Sequence, residues 1–337
     1  MDMHVGLDVS QRTTSICIID ASGQRTWQGT APTEPAAIVD MLRAHGAGEA
    51  RVGMETGPLA VWLYHAMRQQ GVNIDCIHAR HVHAALTVQL NKTDRNDAFG
   101  IAQLVRSGWY RATHVRSLEC HQVRLMLTVR EKLISLRTAT NNQIRGLLKT
   151  FGVVLGAGKN RVFETSVQDA DPLRDGIKPV IGILLDTWRH LTTKIRELDR
   201  SIQRQVNQDS VCRLLMTVPG VGVITAASFR TAVDDPSRFK HVSDIWPFLG
   251  LTPRKYQSGE VDRNGTIAKQ GNRQTRSMHY EAALARLKRY GKETNLAQWG
   301  AKLERRMGLR KAVVALARKL ATVLLSMWRS GEQFRCA

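Results

Sequence analysis

The chain has 337 residues, 43% of them hydrophobic, enough for two or three domains with cores of their own. Lys and Arg number 49 against 29 Asp and Glu, and the resulting net charge of +20 points to a polyanionic partner, nucleic acid first. No long uncharged apolar run and no signal peptide occurs, and Cys17, Cys76, Cys120, Cys212 and Cys336 show no zinc spacing; this excludes a membrane span and predicts reduced thiols in a cytoplasmic, nucleoid-associated protein.

The charge is unevenly placed. Residues 1–100 carry eight Lys/Arg and ten Asp/Glu, a net of −2, so the remainder carries +22. A site on the first part and a polyanion grip on the rest is the simplest division.

His4 to Ser10 reads as an apolar strand interrupted by Asp8, and Thr13 to Ile19 as a second, β-branched strand. Asp20-Ala21-Ser22-Gly23 is a turn, with a third strand near Arg25–Gly29. Helix patterns at Glu34–His45 and Leu59–Gln70 alternate with strands at Arg51–Gly57 and Val72–Ile77. The order predicts an α/β domain with a mixed sheet. Acids are poor strand formers, yet Asp8 lies within one strand and Glu55 at the end of another.

Lys92-Thr93-Asp94-Arg95-Asn96-Asp97-Ala98 opens a helical run reaching Val105. Asp94 and Asp97 are three apart and share a helix face. Two such carboxylates repel unless a hard cation such as Mg²⁺ lies between them; the plain alternative is a helix cap. Asp8, Glu55, Asp94 and Asp97 together have the strand, strand-end and helix layout of a ribonuclease-H-like site, which holds Mg²⁺ (or Mn²⁺) for phosphodiester chemistry.

Residues from about Ser117 to Phe151 form a long basic helix, with Leu118, Leu125, Val129, Leu133, Leu136 and Leu147 as its apolar stripe. Ile181, Leu184, Trp188, Leu191, Ile195, Leu198 and Ile202 form a heptad seam, roughly 32 Å long. A protruding coiled-coil hairpin is expected, packed on itself or on another subunit. Gly156-Ala157-Gly158-Lys159-Asn160 fails as a phosphate loop, because Val153 and Asn160 stand where Gly and Ser/Thr are needed.

Pro219-Gly220-Val221-Gly222 between two helix patterns reads as a helix-hairpin-helix whose second helix offers free N–H groups to a phosphate. Lys269, Arg273 and Arg276 cluster with Gly265 and Gly271 and are candidates for the phosphate backbone. Ser258, in Tyr256-Gln257-Ser258-Gly259, reads as a turn residue. Ala301 to Trp328 is a basic amphipathic helix, with Leu303, Met307, Val314, Ala317, Leu320, Leu324 and Met327 on one face.

Gly-Leu-Asp-Val-Ser at 6–10, Met-Glu-Thr-Gly at 54–57 and Lys-Thr-Asp-Arg-Asn-Asp-Ala at 92–98 resemble the DEDD-type insertion-sequence transposases, whose N-terminal domain is similar to the RuvC Holliday-junction resolvase. Pro-Gly-Val-Gly at 219–222, Gly-Leu-Thr-Pro at 250–253, Ser-Gly-Glu at 258–260 and Lys-Gln-Gly-Asn at 269–272 resemble the C-terminal domain of the same family. The resemblance implies a RuvC-like metal-dependent domain (1–112), a helical coiled-coil region (113–207) and a mainly helical transposase domain (208–337). It implies that Asp8, Glu55, Asp94 and Asp97 hold the metal and that Ser258 attacks DNA, with Ser243 and Ser277 as weaker candidates. It further implies donor and target DNA, a structured non-coding guide RNA and a dimer or tetramer as partners. A junction resolvase using metal-activated water, and a non-catalytic nucleic-acid scaffold, are the alternatives.

Overall fold

The computed structural model describes residues 2–87, 93–156, 161–169, 176–259, 261–289 and 295–335. Lys92, Gly158, Lys159, Glu260 and Cys336 lie outside the described residues. The chain divides into two compact units, Met1–Arg116 and Ser117–Ala337.

In the first unit, β1 (His4–Val9), β2 (Thr13–Ile19) and β3 (Arg25–Pro32) form an antiparallel meander. Then follow α1 (Pro35–Ala44), β4 (Arg51–Glu55), α2 (Ala60–Gln69), β5 (Asn73–Ile77), α3 (Ala79–Leu86) and α4 (Asp94–Ser107). β4 pairs with β1 and with β5 in parallel, giving the order β3-β2-β1-β4-β5. This mixed five-stranded sheet is consistent with a ribonuclease-H-like domain.

Alternation along the strands explains both faces. Val5 and Leu7 of β1, Ile16 and Ile18 of β2, and Val52 and Met54 of β4 pack with Ile38, Leu42, Leu63 and Met67 of α1 and α2. Cys17 and Ile19 point the other way, onto Ala98 and Ala102 of α4. β2 therefore reads as an unbroken apolar run because it is buried on both sides.

The second unit opens with α5 (Leu118–Thr150), α6 (Arg161–Gln168) and α7 (Lys178–Gln208). α5 and α7 run antiparallel: Ile144 and Leu148 meet Ile181, Leu185 and Trp188 at one end, and Leu127 shares a core with Ile202 and Val206 at the other. The expected helical hairpin is present, and Ile181, Trp188, Ile195 and Ile202 of its expected seam are buried, with Leu184 and Leu198 partly buried against the same cores. Leu185 and Thr192 are buried as well, which the pattern does not include. Thr192 is tolerated because its hydroxyl bonds the Trp188 carbonyl at 2.9 Å. On α5 the buried positions are Cys120, Leu127, Ile144 and Leu148, whereas Leu118, Leu125, Val129 and Leu136 are exposed. Of the expected α5 stripe, Leu133 is half-buried and Leu147 packs with the α7 residues Ile181, Leu185 and Trp188.

Next come α8 (Ser210–Met216), α9 (Val223–Val233), α10 (Ile245–Phe248), a hairpin of β6 (Pro253–Ser258) and β7 (Val261–Ile267), then α11 (Arg273–Arg289), α12 (Asn295–Met307) and α13 (Leu309–Ser330). The hairpin is absent from the sequence expectation of a mainly helical region. β6 is exposed at all six positions, so neither face carries the alternating apolar signal of a strand. The expected C-terminal helix is two helices, broken at Gly308 with φ +81°. α13 is central, with Leu320, Ala321, Leu324 and Leu325 buried against Leu215, Phe229 and Leu249. Among the described residues no helix is long and apolar enough to cross a membrane, and Cys17, Cys76, Cys120 and Cys212 are free and buried.

Candidate active site

The site in the first unit is built on two glycines. Gly6 of β1 pairs directly with Gly53 of β4. A Cβ on Gly6 would fall inside 3.0 Å of the Ala98 oxygen and the Ala102 nitrogen, and one on Gly53 inside the same distance of the Val105 side chain. Side-chain-free positions in neighbouring strands thus let the α4 backbone lie directly on the sheet.

Asp8 and Glu55 are each two residues beyond one of these glycines, so both project on the α4 face. The parallel ladder pairs Leu7 with Met54, and the next position on each strand is Asp8 and Glu55, side by side and half-buried. The direction of α4 completes the set. Its C-terminal part reaches the β2–β3 turn, where Gln103 Nε2 donates to the Gly23 carbonyl at 2.7 Å and Arg106 to the Ala21 carbonyl at 3.3 Å. That turn flanks the start of β1, since Ile19 pairs with His4. α4 therefore runs antiparallel to β1, and its first turn, with Asp94 and Asp97, lies toward the end of β1 that bears Asp8.

Neither aspartate is the helix cap. Thr93 Oγ1 accepts the Asn96 N–H at 3.2 Å, and the Thr93 carbonyl accepts the Asp97 N–H at 2.9 Å. Asp94 is exposed and Asp97 half-exposed. Asp75 of β5 contrasts with them: Arg51 pairs with it at 2.8 Å, and the Tyr110 hydroxyl donates to it at 2.5 Å. Burial and this bond push the Tyr110 phenol upward. Among the described residues no three His, Cys, Asp or Glu form a preformed metal cage. The four acids share one end of the sheet without converging on a point.

In the second unit Ser258 is the last residue of β6, exposed, in register with Val261 across the turn that contains Gly259 (φ +54°). It ends a strand, where the sequence suggests a loose turn. Two loops lock the base of this hairpin. Gly250 and Gly271 each approach the other loop's backbone too closely for a side chain, and Ala268 N–H donates to the Thr252 carbonyl at 2.7 Å. Asn272 caps α11, its Oδ1 accepting the Thr275 N–H at 2.8 Å. The Gly-Leu-Thr-Pro and Lys-Gln-Gly-Asn motifs are therefore one structural joint.

The phosphate candidates separate on this joint. Arg276 donates to the Leu249 and Gln270 carbonyls at 3.1 and 3.0 Å, and burial followed by the Arg273 charge lowers its pKa. Arg276 is a brace. Lys269 (φ +55°) and Arg273, first in α11, are exposed. Gly220 (φ +95°) packs on α11, where a Cβ would sit 2.8 Å from the Ala282 oxygen; Gly222, before α9, is exposed with open space around it. Ser243 and Ser277 are exposed as well.

Two family models match the chain. A model described as a transposase of the DEDD, IS110 type matches residues 5–152, and one of the transposase IS116/IS110/IS902 family matches residues 212–298. The chain belongs to this transposase family. It is 28% identical to the transposase for insertion sequence element IS1111A of Coxiella burnetii, over 98% of this chain and 91% of the relative. It is 29% identical to a probable family 20 transposase of Pseudomonas aeruginosa, over 82% of this chain and 83% of the relative. A pilin gene-inverting protein of Moraxella bovis is 26% identical over 44% of this chain and 48% of its own length. The transposase is thus an enzyme of DNA rearrangement, and all four acids and Ser258 lie within the matched spans.

One polar cluster of the transposase left no signal in its sequence. Ser228 of α9 donates to Thr275 Oγ1 at 2.9 Å, and His279 Nδ1 lies 2.8 Å from the Thr275 carbonyl, all three buried. Burial lowers the His279 pKa to about 4, so the ring is neutral and Nδ1 donates. The cluster pins α9 under the capped start of α11.

Proposed function

We propose that this transposase cuts and rejoins DNA with Ser258 as nucleophile and with Asp8, Glu55, Asp94 and Asp97 as ligands of Mg²⁺. The observation that carries the reading is the antiparallel run of α4 across the Gly6–Gly53 pair, which places Asp94 and Asp97 toward the strand ends that bear Asp8 and Glu55. The donors are all carboxylate oxygens, the hard ligands that Mg²⁺ prefers, and their mutual repulsion favours a cation among them. When bound, the ion supplies Lewis-acid stabilisation of phosphate charge.

Ser258 is the exposed end of a strand whose base is locked, so its hydroxyl is presented outward on a firm support. Attack of Oγ on phosphorus forms a serine–phosphate ester and breaks the P–O bond to one sugar, whose oxygen takes up the proton. Attack by the hydroxyl of a second DNA strand reverses the step. One phosphodiester is lost and one gained, so no outside energy source is required. The relative named as a gene-inverting protein supports an exchange of this kind.

Lys269, Arg273 and the open Gly222 end of α9 are proposed phosphate contacts, while Arg276 braces the joint and Gly220 packs on α11. The exposed stripe of Leu118, Leu125, Val129 and Leu136 on α5 suits a second copy of the chain, as joining two DNA partners requires. The charge of +22 beyond residue 100 suits donor and target DNA and a structured guide RNA. Cleavage of labelled insertion-end DNA with and without Mg²⁺, in wild type and Asp94→Asn, tests the reading. Metal-independent cutting, or full activity of the variant, overturns it.

A further inference from the structure

The two faces of the β6–β7 hairpin differ. On one, Lys255 is neutralised by Asp262 at 3.1 Å. On the other stand Tyr256, its cross-strand partner Arg263 and, two residues on from the tyrosine, Ser258. The Arg263 guanidinium lies 5.8 Å from the centre of the Tyr256 ring and has no carboxylate partner among the described residues. The ring reaches across Gly265, where a Cβ would stand 2.9 Å from Tyr256 Cε2. Any side chain at 265 would lift the ring, so the glycine lets it lie down on the ribbon. Tyr256 remains 48% exposed. A half-exposed aromatic ring beside a cation that has no carboxylate partner among the described residues is the usual form of a stacking surface for a nucleobase.

We propose that Tyr256 and Arg263 form a platform that receives one unstacked base of the DNA strand, next to the phosphate presented to Ser258. Position on one strand face argues for this occupant: the platform is two residues from the hydroxyl that the proposed function assigns to the cut. The arginine supplies positive charge for the strand and extends the π surface. Stacking tolerates every base, so the platform sets the position of the cut relative to the backbone and leaves sequence choice to other contacts.

The proposal rests on the Ser258 reading only for the base's place beside the cut, and its test does not need catalysis. The probe is single-stranded DNA carrying one 5-iodouracil, which on irradiation couples to a stacked aromatic ring. Peptide mapping should find the cross-link on Tyr256 in wild type and equally in Ser258→Ala. Tyr256→Phe should keep it. Tyr256→Leu should lose it and weaken binding on the order of 10-fold, with the salt dependence unchanged because no ion is released. Gly265→Val should weaken binding in the same way by lifting the ring. A cross-link mapped elsewhere, a Tyr256→Leu affinity equal to wild type, or a cross-link formed only with the matching RNA oligomer overturns the platform. An intact cross-link in a protein that makes no serine adduct leaves the platform standing and removes Ser258 alone.

Discussion

Gly6 lies so close under Ala98 that the carbonyl of one turn of α4 occupies the space where a side chain on β1 would be. This contact sets the height of the helix above the sheet, and so where its acidic first turn stands. Gly6→Ala should force α4 outward. An overpacked, backbone-lined contact costs on the order of 2 kcal/mol, read from the urea midpoint, and metal-dependent cleavage should fall more than stability does. A fully active Gly6→Ala protein would show that α4 does not need this seat.

Capping and the proposed metal binding fall on neighbouring residues. Thr93 holds the helix end, and Asp94 and Asp97 do not. Thr93→Ala should cost about 1 kcal/mol of stability while retaining metal-dependent cutting. Asp94→Asn and Asp97→Asn should leave the melting temperature nearly unchanged, retain DNA and abolish cleavage. The reverse pattern, with stability lost and cutting kept, would make both acids ordinary helix-end residues.

His279 should give the protein an acid-sensitive joint. Its folded pKa of about 4 lies below its ordinary 6.5, so the unfolded chain takes up the proton first as pH falls. Its stabilising contribution is complete above about pH 6.5, declines as pH drops toward 4 and is lost below, for a total of about 3 kcal/mol. Chemical denaturation at stepped pH should show this slope, and His279→Phe should flatten it. An unchanged slope in the variant would assign the acid sensitivity to other groups.

The first unit was legible because its strands carry apolar runs and its acids interrupt them. Asp8 in β1 and Glu55 ending β4 stand out by their cost in a sheet. The glycines that seat α4 were not legible, since a glycine in a strand does not announce what lies on it. In the second unit the patterns misled for physical reasons. Both α5 and α7 carry more apolar residues than one seam needs, so periodicity alone does not say which stripe meets the partner helix. β6 of the hairpin, exposed at all six positions, has no pattern to read. Arg276 reads as a phosphate ligand in the sequence, yet its guanidinium donates to the Leu249 and Gln270 carbonyls, because bracing uses the same polar residues as binding.

Ser258 gives the most decisive test, because its surroundings demand little of it. It is exposed at a strand end, and a serine-to-alanine change removes one oxygen there, so stability should move by no more than about 0.5 kcal/mol. Recombination should nevertheless disappear, together with any covalent protein–DNA species. The adduct is read as a slow-migrating band in denaturing electrophoresis of labelled insertion-end DNA with Mg²⁺. Ser258→Cys should restore a trace of it, since a thiolate is also a nucleophile. Persistence of the band in Ser258→Ala would move the nucleophile to another exposed hydroxyl, with Ser277 on α11 first and Ser243 after it. Clean cut ends from wild type, with no adduct at any time, would replace the serine with metal-activated water. The four acids would then act as in a junction resolvase, and the hairpin would serve DNA placement alone.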